Sequence, residues 1–220
     1  MSRATAERRA DPLAVLRRIR ATGSAPDHTG DAAPTVPERC ELCATPVPPE
    51  HRHVVNLDSR ALLCACRPCS LLFEYPDAEL AYRTVPERYA ALPALSRTEW
   101  DSLEVPVGLA FVFRNSRQDR AVVCYPGPAG VTEADLSVEV SEAFAGAAPD
   151  VEAVLIRAQD GGFERFVVPI DVCYALVGHL RTLWRGFDGG PEAHARVAEF
   201  FADVERKAAG HRTLERKAVR

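Results

Sequence analysis

Five of the chain's seven cysteines fall between positions 40 and 69. Cys40-Glu41-Leu42-Cys43 and Cys66-Arg67-Pro68-Cys69 are two Cys-x-x-Cys pairs with 22 residues between them. A two-residue spacer lets both sulfurs of a pair bind one ion while backbone N–H groups of the turn soften their charge. Two such pairs offer four soft ligands for a closed tetrahedron, the preference of zinc at neutral pH. The expected centre is therefore one structural Zn2+ on Cys40, Cys43, Cys66 and Cys69. Iron is the rival, because a rubredoxin-like centre uses the same four thiolates. Against iron, Ala44 and Ser70 stand where glycine usually follows the second cysteine of each pair.

Three more residues compete for that site. Alternation along a strand would point Cys64 and Cys66 to one side, so Cys64 is an alternate ligand, a core thiol or an exchangeable redox thiol. A spare thiol beside a metal is expected to have a lowered pKa, which favours reactivity. His51 and His53 are near enough in sequence to ligate, or to serve as surface and supporting residues. Cys124 and Cys173 sit in apolar stretches and read as core.

The elements that must bring the pairs together are short. Residues 53–57 and 61–63 read as strands around a turn at Asp58-Ser59-Arg60, forming a zinc-ribbon-like hairpin. So small a region has little apolar matter to bury, and metal binding would supply the missing folding energy. Before it, Asp11 is placed to cap a short helix with Leu13, Val15, Leu16 and Ile19 as its apolar positions, and residues 21–37 read as a linker. After it, short helices are expected over 77–82 and 97–103. Strands at 107–114 and 120–125 form a hairpin, 125–130 a loop, and 133–147 a helix. A second hairpin spans 151–158 and 164–169, turning at Asp160-Gly161-Gly162, where positive φ is tolerated. Asp171 is placed to cap a buried helix over 172–183. Pro191 opens a last helix whose Ala193, Val197, Phe200, Phe201 and Val204 form one stripe.

The fold class is α+β, with the zinc-ribbon-like four-cysteine hairpin followed by a mainly antiparallel sheet covered by two or three helices. The expected segments are 1–38 (flexible, with the short helix), 39–75 (metal module), 76–208 (α+β body) and 209–220 (basic tail).

Composition narrows the function. Hydrophobic residues make up 47% and charged residues 26%, as in ordinary globular chains. Lysine occurs only at 207 and 217, a coding bias toward arginine. The net charge of −4 hides two basic ends, since residues 1–20 hold six arginines against Glu7 and Asp11. Residues 205–220 likewise hold six basic residues against Glu205 and Glu215, which leaves the middle strongly acidic. An acidic body argues against nucleic-acid binding, even with a local patch of Arg52, Arg60 and Arg67. No signal peptide is evident, and the longest apolar run, near Val107–Phe113, is too short to span a membrane. A cytoplasmic location is expected, where thiols stay reduced. No serine nucleophile motif, Walker loop or dinucleotide fingerprint occurs, which points away from an enzyme. A loop with Trp184, Arg185, Phe187 and Asp188 is a candidate for partner binding, and Tyr125 beside Pro126-Gly127 is a second.

Several blocks together resemble an uncharacterised bacterial family encoded in gene clusters for a high-affinity [NiFe] hydrogenase. They are the cysteine block with His51-Arg52-His53 and Leu62–Cys69, then Val105–Phe111, Val168–Tyr174 and Trp184–Gly190. They fall in order and cover about residues 39–205. Members tend to carry an aromatic where Ser70 stands, so that flank departs from the pattern. The resemblance implies an accessory or maturation role, with hydrogenase subunits or maturation factors as protein partners. The alternative is a redox protein using an iron-thiolate centre or a reactive thiol at Cys64.

Overall fold

The computed structural model describes residues 37–75, 80–127, 130–136, 144, 146–159, 161–186 and 189–218. The chain divides into Met1–Val36 and Pro37–Arg220, and every described element belongs to the second, compact unit. The short helix expected after Asp11 and the linker before Pro37 lie outside the described residues.

The cysteine region folds as expected around a hairpin. Strands β1 (Arg52–Asn56) and β2 (Leu62–Ala65) pair antiparallel, with His53 opposite Cys64 and Val54 opposite Leu63. Asn56 closes the turn, its Oδ1 accepting the N–H groups of Asp58 and Ser59. Helix α1 (Arg67–Leu71) follows at once, with Cys66 as its cap residue. Strand β3 (Tyr82–Thr84) then pairs with the free edge of β1, giving the order β2-β1-β3. Of the helix expected over 77–82, residues 77–79 lie outside the described set, and Tyr82 begins a strand. Tertiary pairing with β1 decides that segment, and Tyr and Thr suit a pleated surface.

The body is a six-stranded antiparallel sheet. Strand β4 (Ala90–Ala91) precedes helix α2 (Arg97–Asp101), which a Ser96–Glu99 capping box starts. Strands β5 (Leu109–Asn115), β6 (Arg120–Gly127), β7 (Gly130–Asp135), β8 (Glu152–Gln159) and β9 (Gly162–Pro169) complete it in the order β4-β9-β8-β5-β6-β7. Pleat alternation splits the side chains between two cores. Phe111, Phe113, Val122, Cys124, Ala153 and Leu155 face one core, which helices α3 (Ile170–Leu183) and α4 (Gly190–Ala218) cover. Ala110, Val112, Val123, Val154 and Ile156 face the other, with Trp100 stacked on Phe163 at 4.7 Å between ring centroids. Covered on both faces, β5 and β8 read as unbroken apolar runs.

The body also departs from expectation in places. In the loop expected over 125–130, Tyr125–Gly127 instead belong to β6 and Gly127 pairs with Gly130 at the start of β7, while residues 128 and 129 lie outside the described set. Pro126 lies past the last residue of β6 that pairs with β5, so its missing N–H costs no bond there. The helix expected over 133–147 cannot begin at Glu133, because Glu133–Asp135 belongs to edge strand β7; residues 137–143 and 145 lie outside the described set. Asp171 is not the cap of α3. Pro169 holds that place, and Asp171 lies in the first turn. Nor is α3 buried all round: Ile170, Cys173, Leu176 and Leu180 are buried, while Tyr174 is exposed.

The last helix keeps its expected stripe. Ala193, Phe201 and Val204 are buried, and Ala208 extends the stripe one turn further. Arg157 ties α4 to the sheet, bonding Glu164 and Glu205 while its guanidinium lies 4.2 Å over the Phe201 ring. No helix among the described residues is long and apolar enough to cross a membrane.

Among the described residues, the most deeply buried charged side chain is that of Glu152. Glu152 is 2% exposed and accepts both Nε and Nη2 of Arg88 at 2.8 and 2.6 Å, plus the Ala148 N–H. Removing Arg88 would strand that carboxylate away from water. Arg88→Ala is expected to lower the unfolding free energy by about 3 kcal/mol. Arg114→Ala, which breaks an exposed pair with Asp119, should cost under about 1 kcal/mol. Urea denaturation of both variants checks this, and equal losses would contradict it.

Candidate metal centre

Local backbone geometry aims the first cysteine pair inward. The Ala44 N–H bonds the Cys40 carbonyl at 2.7 Å, and the Cys40 N–H bonds Thr45 O at 2.8 Å. This tight turn requires Ala44 at φ +62°, the left-handed region that favours glycine. An alanine there costs about 1 kcal/mol. The turn therefore forms without the glycine whose absence counted against iron, so that sequence argument loses force. The second pair straddles the start of α1, where the Ser70 N–H bonds the Cys66 carbonyl at 3.0 Å.

The four sulfurs of Cys40, Cys43, Cys66 and Cys69 lie within 4.8 Å of one another. The Cys43 and Cys66 sulfurs are 3.6 Å apart. Sulfurs about 2.3 Å from a zinc ion form a tetrahedron with edges of about 3.8 Å, so the donor set fits a metal of that size. Cys40 is buried at 1% exposure and Cys43 is exposed. The small core beneath them holds Val47, Val54 and Ala65, with Phe73 and Tyr82 packed against it.

Without a cation the thiols titrate in conflict. Burial opposes a charge on Cys40, but the N–H groups of Cys66, Leu42 and Cys43 outweigh it and hold that thiol below its ordinary range. Cys43 is pulled down to about 6, first by the Thr45 hydroxyl at 3.3 Å and then by the Thr45 N–H and the neighbouring thiols. Cys69 is pushed up to about 12 by the Cys66 and Cys43 thiols beside it. Two thiols are drawn toward the thiolate while Cys69 is held protonated beside them, an arrangement that a divalent cation relieves. Thr45 was not foreseen from the sequence; a hydroxyl two residues past a knuckle cysteine is the signal that points to it.

Cys64 stands apart from the four. Strand β2 ends at Ala65 and Cys66 caps α1, so alternation does not carry from Cys64 to Cys66. Cys64 instead groups with His51 and His53, their donor atoms lying within 4.8 Å of one another. Its thiol is pushed up, first by burial and then by the nearby Glu41 and Glu38 charges, opposite to the lowering expected of a reactive thiol. Glu41 also accepts the Cys64 N–H at 2.6 Å. His53 meets Asp171 across 118 positions of sequence, Nδ1 to Oδ2 at 2.8 Å. Cys124 and Cys173 are buried, and burial pushes both thiols up.

Of the residues proposed for partner contact, Phe187 and Asp188 lie outside the described set. Trp184 packs against the core as α3 ends, its ring so close to Gly189 that a Cβ there would come within 3.2 Å. The Gly189 backbone, at φ +97°, suits that approach. Arg185 is exposed, and its guanidinium caps the Thr182 and Trp184 carbonyls. Tyr125 is half-buried on β6, against the second core.

Comparison with curated proteins and with solved structures gave no match. The matched span instead runs from just before the first cysteine to the buried end of the α4 stripe: over residues 39–208 the chain belongs to a family of unknown function, DUF5947.

Proposed function

We propose that this chain is a zinc-bearing accessory or maturation protein for a [NiFe] hydrogenase, acting in the cytoplasm through protein–protein contacts. The observation that supports the metal is the convergence of four cysteine sulfurs above a minimal apolar core. A set of four thiolates leaves no coordination position for a substrate, which suits a structural ion. The ordered blocks of sequence resemblance support the hydrogenase context. Zinc would hold the cysteine module in shape, and the surface around Arg185 and Tyr125 would meet the partner.

An iron-thiolate electron carrier would use the same donors, so metal identity is the first test. Chain purified without oxygen and washed with a mild chelator is expected to retain zinc and to show no visible absorption bands. Cys43→Ser and Cys66→Ser should each lose that zinc and loosen the cysteine module. Iron with charge-transfer bands would move the protein to the electron-transfer class, and variants that keep their zinc would overturn the ligand set.

The pH dependence follows from the thiols. Cys43 loses its charge as pH falls through about 6, and Cys69 keeps its proton up to about 12 until a metal displaces it. Zinc affinity is therefore expected to rise at least about tenfold per pH unit between pH 6 and 8, one proton being released for each factor of ten. Competition with a chromophoric chelator measures this, and a flat profile would be inconsistent with thiol ligation.

For the partner, the zinc-loaded chain should co-elute with purified hydrogenase subunits or their maturation factors in size-exclusion chromatography, and the zinc-free Cys66→Ser variant should not. Absence of a complex with every one of them would remove the hydrogenase role.

A further inference from the structure

The pleat of the cysteine hairpin separates two groups of donors. Val54 and Ala65 face the small core beneath the four clustered cysteines, whereas His53 and its cross-strand partner Cys64 point to the opposite side. His51, two residues before His53, lies with them, its ring centroid 4.8 Å from that of His53. One nitrogen of each ring and the Cys64 sulfur lie within 4.8 Å of one another.

Hydrogen bonding fixes which nitrogens are available. His53 Nδ1 lies 2.8 Å from Asp171 Oδ2, and a carboxylate accepts, so Nδ1 carries the proton and Nε2 the lone pair. His51 Nδ1 lies 2.9 Å from the Pro48 carbonyl, which imposes the same tautomer. The His51 side chain is only 6% exposed, and its Nε2 is buried without a hydrogen-bond partner among the described residues. A buried lone pair on an oriented imidazole is what a metal ligand requires. The carboxylate and carbonyl behind the two rings match the outer partners that hold metal-bound histidines in place. Both histidines line a cleft of about 1290 Å³ that also carries Glu87, Tyr89 and Lys207.

We propose that His51, His53 and Cys64 form a second metal site, for a borderline transition-metal ion of the zinc, cobalt or nickel class. Two imidazoles and one thiolate supply three ligands, so the ion keeps a fourth position for water or a small ligand from the cleft. This site is separate from the four-sulfur centre in chemistry: that centre is closed, and this one is open and exchangeable.

Cobalt titration of the full-length chain, freed of metal under reducing conditions, tests the proposal. Two equivalents of Co2+ are expected. The tighter would give the spectrum of a four-sulfur site, and the weaker would add a distinct set of bands. His51→Ala, His53→Ala and Cys64→Ala should each abolish the second equivalent and leave the four-sulfur bands, which also report that the module is folded. Asp171→Asn, which keeps the shape of the side chain, should weaken the second equivalent about 10- to 100-fold. A single equivalent with only the four-sulfur bands in the unaltered chain, or a second that survives the His51→Ala/His53→Ala double variant, would overturn the proposal. Loss of only the first equivalent would fault the four-sulfur reading and leave this one standing.

Discussion

Four sulfur atoms held within 4.8 Å of one another cannot all carry negative charge in the absence of a cation between them. The Thr45 hydroxyl and N–H draw Cys43 down to about 6, and the Cys66 and Cys43 thiols beside Cys69 push it up to about 12. The backbone is committed to the arrangement all the same. Ala44 adopts a left-handed conformation to turn the first pair inward, and the second pair is fixed by the start of α1. Because the apolar core beneath is small, an ion bound by the four sulfurs would supply much of the module's stability.

Strand β1 transmits that order to the rest of the chain. Val54 enters the small cysteine core, while Val55, with Leu57 just beyond the strand, enters the large core beneath α3 and α4. One five-residue strand thus serves two cores through its pleat alone. On the face toward the body, His53 meets Asp171 of α3, so the first turn of that helix and the cysteine hairpin are joined by a polar contact as well as an apolar one. Loss of metal from the cysteine side would be felt along β1, where the histidines stand.

What was legible in the sequence followed from local chemistry. The two Cys-x-x-Cys pairs, the β1–β2 hairpin, the Gly161-Gly162 turn and the apolar stripe of α4 each depend on residues near one another in the chain. The errors arose where distant pairing decided the outcome. Residues 82–84 and 133–135 became strands because a sheet edge was waiting for them, and Pro126 was tolerated because it lies past the pairing with β5. Asp171 suggested a helix cap by its position alone, yet its carboxylate serves His53, a relation separated by 118 positions that no local pattern encodes. The alignment of Cys64 with Cys66 fails for a related reason, since the strand that would carry it ends one residue too soon.

Zinc K-edge X-ray absorption on the chain holding only its tightest equivalent tests the central claim most directly. The account predicts a single shell of four sulfurs at about 2.3 Å. A shell containing nitrogen or oxygen ligands in place of any of the four sulfurs would contradict it.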